Sequence, residues 1–323
     1  MKPAFSVIFL TTLIGAGQGL FLALFTHQSY ALFSLLPMQA GSFYAYGSLL
    51  ALVLLVSGLI ASFFHLGHPE RAWRAAAMWR TSWLSREVIA LPAFMGVVFV
   101  YGVTHWLGWK PVVVTLPSEL DIDITIVLGL IGTVLAFVLF VTTGMVYACM
   151  RFLREWHSPL TVINYILLGG ASGFTLAAAY AALSAPSQTN FFGGWAIIIT
   201  LLAFVARIAS LIRNARLKPK STIQTAIGVK HPRIVQRSMG AMGGTFNTRE
   251  FFHGKSEAFL RNIKPIFLLL TFVLPLALLA FGMFAPSLLV LAFILQYLGL
   301  LAERWFFFAQ ANHPQNLYYQ TIG

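Results

Sequence analysis

Charged residues are scarce in this chain of 323 residues. Asp, Glu, Lys and Arg make up only 9% of it, against about 25% in a typical soluble domain. Hydrophobic residues account for 59%. A chain with so little charge cannot cover a water-exposed surface, so the composition excludes a soluble globular domain and indicates an integral membrane protein.

Cysteine is almost absent as well, because Cys149 is the only one in the sequence. A disulfide needs two cysteines, and an iron–sulfur cluster needs several thiolate ligands. The chain can therefore form neither an internal disulfide nor an iron–sulfur cluster of its own. Any metal redox centre that works with it must come from elsewhere.

Long apolar runs are abundant, and runs of about 20 residues are long enough to cross the hydrocarbon core of a bilayer. They predict an all-α, polytopic bundle of about eight transmembrane helices within one integral membrane domain, residues 1–323. The first run lacks the cleavage site of a signal peptide and is taken as a permanent span. The predicted spans are 5–25, 43–64, 87–107, 124–150, 160–184, 195–213, 265–285 and 286–309.

Basic residues are unevenly distributed between the two ends of these spans. If the spans alternate in direction, Lys110 is the only basic residue on one side, and the other Lys and Arg residues lie on the opposite side. The positive-inside rule then places both termini in the cytoplasm of a bacterial inner membrane. The net charge of +12 is explained by topology and by contact with anionic lipid, and no polar domain is present that would bind nucleic acid.

One long polar segment, residues 214–264, lies on the same predicted cytoplasmic side. It is rich in Lys, Arg and Gly, and Pro219 and Pro232 interrupt any continuous helix. Loops of this length in compact proteins are usually functional or disordered. We interpret it as a docking platform for a soluble partner, with a basic linker lying on lipid headgroups as the alternative.

The most unusual stretch is FFHLGHPERAWRAAAMWRTSWLSREV, residues 63–88, between the second and third spans. Its tryptophans and arginines are typical of a membrane interface, and residues 69–80 are predicted to form a short amphipathic helix. His65 ends the second span and Glu87 begins the third. If Ser85 caps the third helix, the helix dipole alone explains Glu87; otherwise the pair can handle protons at the membrane boundary.

A lipid-soluble quinone requires a site with these properties. Its ring and tail need an apolar entrance from the bilayer, and its oxygens need hydrogen-bond donors and groups that exchange protons. Histidine titrates closest to neutral pH, so His65 suits that task. Glu87 can relay a proton to the cytoplasm, and Arg71 can hold a quinone oxygen. These three residues are the predicted quinone-binding site.

Haem is the competing redox cofactor. The chain has eight histidines, all predicted to lie at span ends or in loops, so a haem held by two histidines inside the bundle is not expected. The histidines are His27, His65, His68, His105, His157, His231, His253 and His313.

Two features inside the predicted spans have structural explanations. Arg207 is a charge inside the sixth predicted span, where an arginine usually extends its side chain to the headgroups. The glycines near positions 15–19 and 169–173 are predicted to allow close helix packing.

HLGHPERAWRA, followed by WRTSWLSRE and the closing ERWFFFAQANHPQNLYYQ, resembles the membrane-anchor subunit family of dimethyl sulfoxide reductase over essentially the whole chain. The long basic segment is similar to the branch that anchors cytoplasmic sulfite dehydrogenases. The resemblance implies a partner with a molybdopterin catalytic subunit and a second partner with iron–sulfur clusters, both on the cytoplasmic face. It further implies that electrons are exchanged with menaquinone or ubiquinone, without haem, near His65, Arg71 and Glu87.

The sequence leaves the direction of electron flow open. Sulfite oxidation would reduce a quinone, whereas sulfoxide reduction would oxidise a quinol, and the substrate pocket lies in another subunit. The alternative from a different class is an anion transporter, which would suit the basic face and Arg207. The broken helices with polar midplane residues that such a carrier needs are not evident. A purely structural anchor predicts that His65 and Glu87 are dispensable.

Overall fold

The computed structural model describes residues 4–115, 117, 120–218, 222–234, 256–282 and 285–311. Within them lie eight spans that are long and apolar enough to cross a membrane, which confirms the predicted helical membrane bundle. Six of the spans are α1 (Phe5–Leu32), α2 (Gly41–Phe63), α3 (Trp83–Leu107), α4 (Ile124–Ala148), α5 (Pro159–Ser184) and α6 (Thr189–Ala215). A short helix α7 (Ile223–Ile227) follows, and then α8 (Glu257–Leu268), α9 (Leu274–Gly282) and α10 (Ser287–Ala309).

Glycine allows α1 and α5 to pack against each other at the centre of the bundle. A Cβ atom on Gly19 would overlap the carbonyl oxygen of Gly169, and one on Gly173 would overlap the backbone of Gly19. One helical turn before Gly19, Gly15 also lies against Gly169. The close approach confirms the predicted small-residue packing surface, because any larger residue at these positions would force the helices apart.

The seventh span is not one regular helix. A π-helical turn, Leu269–Val273, joins α8 to α9, and Pro275 is the second residue of α9. Because proline has no N–H, it cannot donate to the carbonyl of Thr271 four residues earlier. Gln296 of α10 replaces the missing donor, with its Nε2 atom 3.3 Å from that carbonyl oxygen. A neighbouring helix thus satisfies the backbone group that the irregular turn leaves open in the apolar interior.

The connections differ from the sequence-based expectations in several places. The predicted short helix over residues 69–80 is confirmed in part: a 3₁₀ helix, Pro69–Ala76, forms there with all its residues at least partly exposed, and residues 77–80 are a turn. An unpredicted antiparallel hairpin, β1 (Val112–Thr115) and β2 (Asp121–Asp123), connects α3 to α4. Residues 219–221 and 235–255 of the predicted docking segment 214–264 lie outside the described residues, so its role stays a prediction.

Two helix boundaries were also wrong. α1 continues to Leu32 instead of ending near Phe25, so His27 lies within it and not in a loop. α3 begins at Trp83, and its N-cap is Ser82, whose hydroxyl oxygen accepts from the Ser85 backbone N–H at 3.3 Å. The predicted cap, Ser85, is therefore a buried residue of the first turn.

One end of the bundle contains both His65 and Glu87, and we call it the His65 end. There α1 and α5 begin, the α2–α3 connection turns, and α6 and α10 end. Two hydrogen bonds tie these segments together. The indole N–H of Trp156 donates to the carbonyl oxygen of Phe307 at 2.9 Å, and the Arg213 guanidinium donates to that of Arg154 at 3.1 Å.

Candidate functional site

Glu87 projects from α3 into the bundle. It lies beyond the first turn of α3, which contains no acidic residue, so the helix dipole does not explain its presence. The residue is half-buried, and its Oε1 atom accepts a hydrogen bond of 2.6 Å from the Thr143 hydroxyl of α4. The carboxyl group is thus held by a neighbouring helix, as expected for a group with a defined position at membrane depth.

A cavity of about 20 Å³ lies beside Glu87. Its wall combines apolar side chains with a few polar groups, among them Gln18, Thr143, Tyr165 and Arg304. A polar cavity of at least about 10–15 Å³ has room for a water molecule. The carboxyl group of Glu87 therefore borders a small internal space that water can occupy.

A cluster of three charged side chains lies next to this cavity. The Arg207 Nε atom of α6 is 2.8 Å from Glu303 Oε1 of α10, and Arg304 Nη1 is 3.5 Å from Glu303 Oε2. The side chains of Arg207, Glu303 and Arg304 are only 2%, 0% and 4% exposed. Arg207 therefore does not extend to the headgroups, as its position in the sixth predicted span had suggested. We call these three residues the ion cluster.

Aromatic rings complete the surroundings of the ion cluster. The Arg304 Cζ atom lies 3.8 Å from the centroid of the Tyr165 ring, close enough for a cation–π interaction. The Tyr147 ring stacks on Tyr165 with centroids 5.7 Å apart. Desolvating charges is costly, and apolar replacements of a buried ion pair are often as stable. A buried cluster of this kind inside a membrane bundle is therefore a candidate for function.

His65 and Arg71 lie on the surface at the same end of the molecule. His65 is in the turn after α2, where the neighbouring chain crowds it enough to lower the pKa of its imidazole below 6.5 by desolvation. Arg71 is in the 3₁₀ helix, with its Nε atom 3.6 Å from Glu70 Oε1. Among the described residues, no hydrogen bond or ion pair joins either side chain to Glu87. The three-residue quinone site stays a prediction.

Apolar side chains surround this connection on the outside. Phe64 is 81% exposed and Leu84 is 52% exposed, so the surface beside the connection is apolar. Arg86 fixes the end of the loop, because its guanidinium donates to the carbonyl oxygens of Trp79 and Arg80 at 2.9 and 2.8 Å.

Sequence reasoning missed Thr143, Tyr165, Glu303 and Arg304 as site residues. Thr143 and Tyr165 carry no signal, since many similar residues occur in the apolar runs. Glu303 did carry one. It is an acid near the end of an apolar run, and Arg207 in another run needed a buried partner.

A second buried polar group of residues lies at the opposite end of the bundle. The His27 ring bonds through Nδ1 to the Tyr44 hydroxyl at 2.9 Å and through Nε2 to Gln188 Oε1 at 3.0 Å. The Tyr44 ring stacks on His105, with centroids 4.7 Å apart. Because both ring nitrogens of His27 are engaged, its position is explained by polar contacts between helices.

The chain resembles known proteins over its full length. It matches the family described as DMSO reductase anchor subunit (DmsC) over residues 1–310. It is also 58% identical to a protein named as a sulfite dehydrogenase subunit in Allochromatium vinosum, over 100% of both chains. These matches confirm the resemblance that the sequence motifs indicated. The chain therefore belongs to the DMSO reductase anchor subunit family.

Proposed function

We propose that this chain anchors a sulfite dehydrogenase to the bacterial inner membrane and passes the electrons from sulfite to the quinone pool. The observation that carries the proposal is the full-length similarity to the sulfite dehydrogenase subunit of Allochromatium vinosum. A molybdopterin subunit would oxidise sulfite to sulfate, and an iron–sulfur subunit would deliver the electrons to this chain. Both would dock on the cytoplasmic face, which we assign to the His65 end.

Charge supports this assignment of the docking face. Exposed arginines at the His65 end include Arg71, Arg74 and Arg151, and Lys218 and Arg216 follow α6. The connection between α3 and α4 at the opposite end carries Lys110 together with Asp121 and Asp123. The positive-inside rule places the more basic end in the cytoplasm. The same surface can attract partner subunits that present acidic residues.

The quinone would bind at the surface beside His65, Arg71 and Glu87. When bound, a quinone accepts two electrons and two protons. The residues present fit such a group in their chemistry. Exposed Phe64 and Leu84 offer apolar contact to its ring and tail, and the partly exposed Glu87, positioned by Thr143, can donate a proton. His65, neutral at pH 7 because its pKa is lowered, can donate an N–H hydrogen bond to a quinone oxygen.

Purification of the chain from its native membranes tests the proposal. We expect two soluble subunits to copurify, with molybdenum and iron in large excess over haem, and we expect the preparation to reduce a short-chain quinone when sulfite is added. Reduction of sulfoxides at the expense of a quinol would instead support the reductase direction. A protein that is stable without partners and contains no metal would refute the proposal and return attention to anion transport.

A further inference from the structure

A second cavity, of about 10 Å³, adjoins the ion cluster. Arg304 lines both cavities, whereas Glu87 lines only the first and Arg207 only the second. The two spaces therefore lie next to each other, with Arg304 as a shared part of their walls. The remaining polar residues of the second cavity are Glu155, Ser158, Thr161, Asn164, Ser210, Arg213, Asn214 and Gln310.

Several buried polar atoms along these cavities have no hydrogen-bond partner among the described residues. Asn164 Oδ1, Gln310 Nε2 and Arg207 Nη2 are such atoms, and all three residues line the second cavity. Leaving such a group unsatisfied destabilises the folded protein, and buried water usually removes that penalty where a polar cavity has room for it. The geometry thus favours water in the second cavity as well as in the first.

The second cavity reaches the surface of the His65 end. Glu155 lies in the connection between α4 and α5, and Asn214 lies in the last turn of α6; both are half-buried. The Asn214 side chain donates to the Glu155 carbonyl oxygen at 3.3 Å, and Arg213 donates to that of His157 at 2.9 Å. These contacts fix the two elements around an opening that borders the basic surface.

We propose that the two cavities and the ion cluster form the path by which protons travel from solvent at the His65 end to Glu87. The proposal rests on the proposed quinone function. As electrons from the iron–sulfur partner reduce a quinone, the O–H bond of the Glu87 carboxyl group breaks and its proton forms a bond to a quinone oxygen. The carboxylate then takes a proton from water in the first cavity, which is replenished through the second cavity past Arg304 and Glu155.

The charges of the ion cluster suit this task. Two guanidinium groups alone would repel an incoming proton, but Glu303 offsets one of them and ionised Glu87 offsets the other. The four groups, Arg207, Arg304, Glu303 and Glu87, are neutral together only when Glu87 has given up its proton. Loss of that proton therefore removes one positive charge from the region and favours entry of the next proton.

Hydrogen–deuterium exchange of the Glu87 carboxyl group tests the path directly. The purified complex is transferred to deuterated buffer, and infrared spectroscopy follows the carboxyl stretching band that Glu87→Gln removes. We expect Asn164→Leu, which replaces a polar wall of the second cavity by an apolar one of similar size, to slow the exchange about tenfold, an effect of one 1.36 kcal/mol step in a barrier. Glu155→Gln at the opening and Tyr165→Phe at the first cavity should slow it in the same direction.

Matched controls lie away from the path. Asp121→Asn changes an exposed carboxylate of the hairpin, and Tyr46→Phe removes the hydroxyl of an exposed tyrosine on α2; both should exchange at the wild-type rate. If Asn164→Leu does not assemble, the exchange rate of the surface variant Glu155→Gln serves as the test. Wild-type exchange rates in the path variants that assemble would overturn the proposal.

Turnover provides the second readout. The path variants should lower sulfite-driven quinone reduction, yet they should leave sulfite oxidation with a soluble artificial acceptor unchanged, because that reaction bypasses this chain. Failure of the wild-type complex to reduce quinone would refute the proposed function. Slowed exchange without a parallel loss of quinone reduction would overturn the role of the path in turnover. The two proposals can therefore fail separately.

Discussion

The ion cluster predicts that Arg207→Met lowers the stability of the wild type but raises the stability of the Glu303→Gln variant. Glu303 is fully buried between two guanidinium groups. Glu303→Gln removes the carboxylate that is paired with both guanidinium groups, and breaking a buried pair in this way costs about 3–5 kcal/mol of unfolding free energy. Arg207→Met alone should cost less, because Glu303 retains Arg304 at 3.5 Å. In the Glu303→Gln background, Arg207→Met removes an uncompensated buried charge, so it should restore stability instead of reducing it.

Unfolding of the four proteins in the same detergent measures this coupling as a double-mutant cycle. We expect the double variant to be more stable than Glu303→Gln, and the coupling energy to lie at about 1–3 kcal/mol. The exposed pair Glu70 and Arg71, 3.6 Å apart and 61% and 58% exposed, is the matched control. An exposed pair contributes about 0–1 kcal/mol, so Glu70→Gln and Arg71→Met should be nearly additive. Additive losses at Glu303 and Arg207 would refute the buried pairing.

Three further predictions concern the quinone site and the helix packing. His65→Ala should leave the complex assembled but abolish quinone-linked turnover. Because desolvation lowers the pKa of the His65 imidazole, the wild type should lose turnover only when acidification charges this ring, and His65→Gln, which cannot be protonated there, should remove that loss. Glu87→Gln should slow quinone reduction about 10²-fold and alter its pH dependence, so an unchanged pH–rate profile would leave Glu87 without a proton-transfer role. Gly173→Ala should destabilise the bundle, because its Cβ would overlap the backbone of Gly19, whereas a Cβ at Gly194 meets nothing within 4 Å, and thermal unfolding of Gly194→Ala should match wild type.

Hydropathy alone predicts the eight spans because each apolar run must cross the membrane, but it does not locate helix ends where polar residues are paired inside the bundle. The polar residues after Phe25 suggested a loop. In the structure, His27 bonds to Tyr44 and Gln188, and the Gln28 amide donates to the Thr125 hydroxyl at 2.6 Å. Contacts with other helices satisfy these side chains, so α1 can continue for another two turns. Such partners are distant in sequence and cannot be read from a local pattern.

The candidate site shows the same limit. Glu87 was predictable from its residue type and its position at the membrane boundary, but its partner Thr143 was not, because nothing in an apolar run distinguishes one threonine from another. Arg207 was recognisable as an unusual charge, and the structure identifies its partner as Glu303. Residue type thus identifies the polar and charged side chains that need a partner inside the bundle, whereas helix packing determines which of them contact each other.

The proposed path also determines which side of the membrane supplies the protons that quinone reduction consumes. Oxidation of sulfite with water gives sulfate, two protons and two electrons, and reduction of a quinone consumes two electrons and two protons. If the catalytic subunit and the entrance at Glu155 share the His65 end, both half-reactions exchange protons with the same compartment. The overall reaction then moves no net charge across the bilayer. Its energy is stored only in the quinol, and the complex should turn over at the same rate with or without a membrane potential.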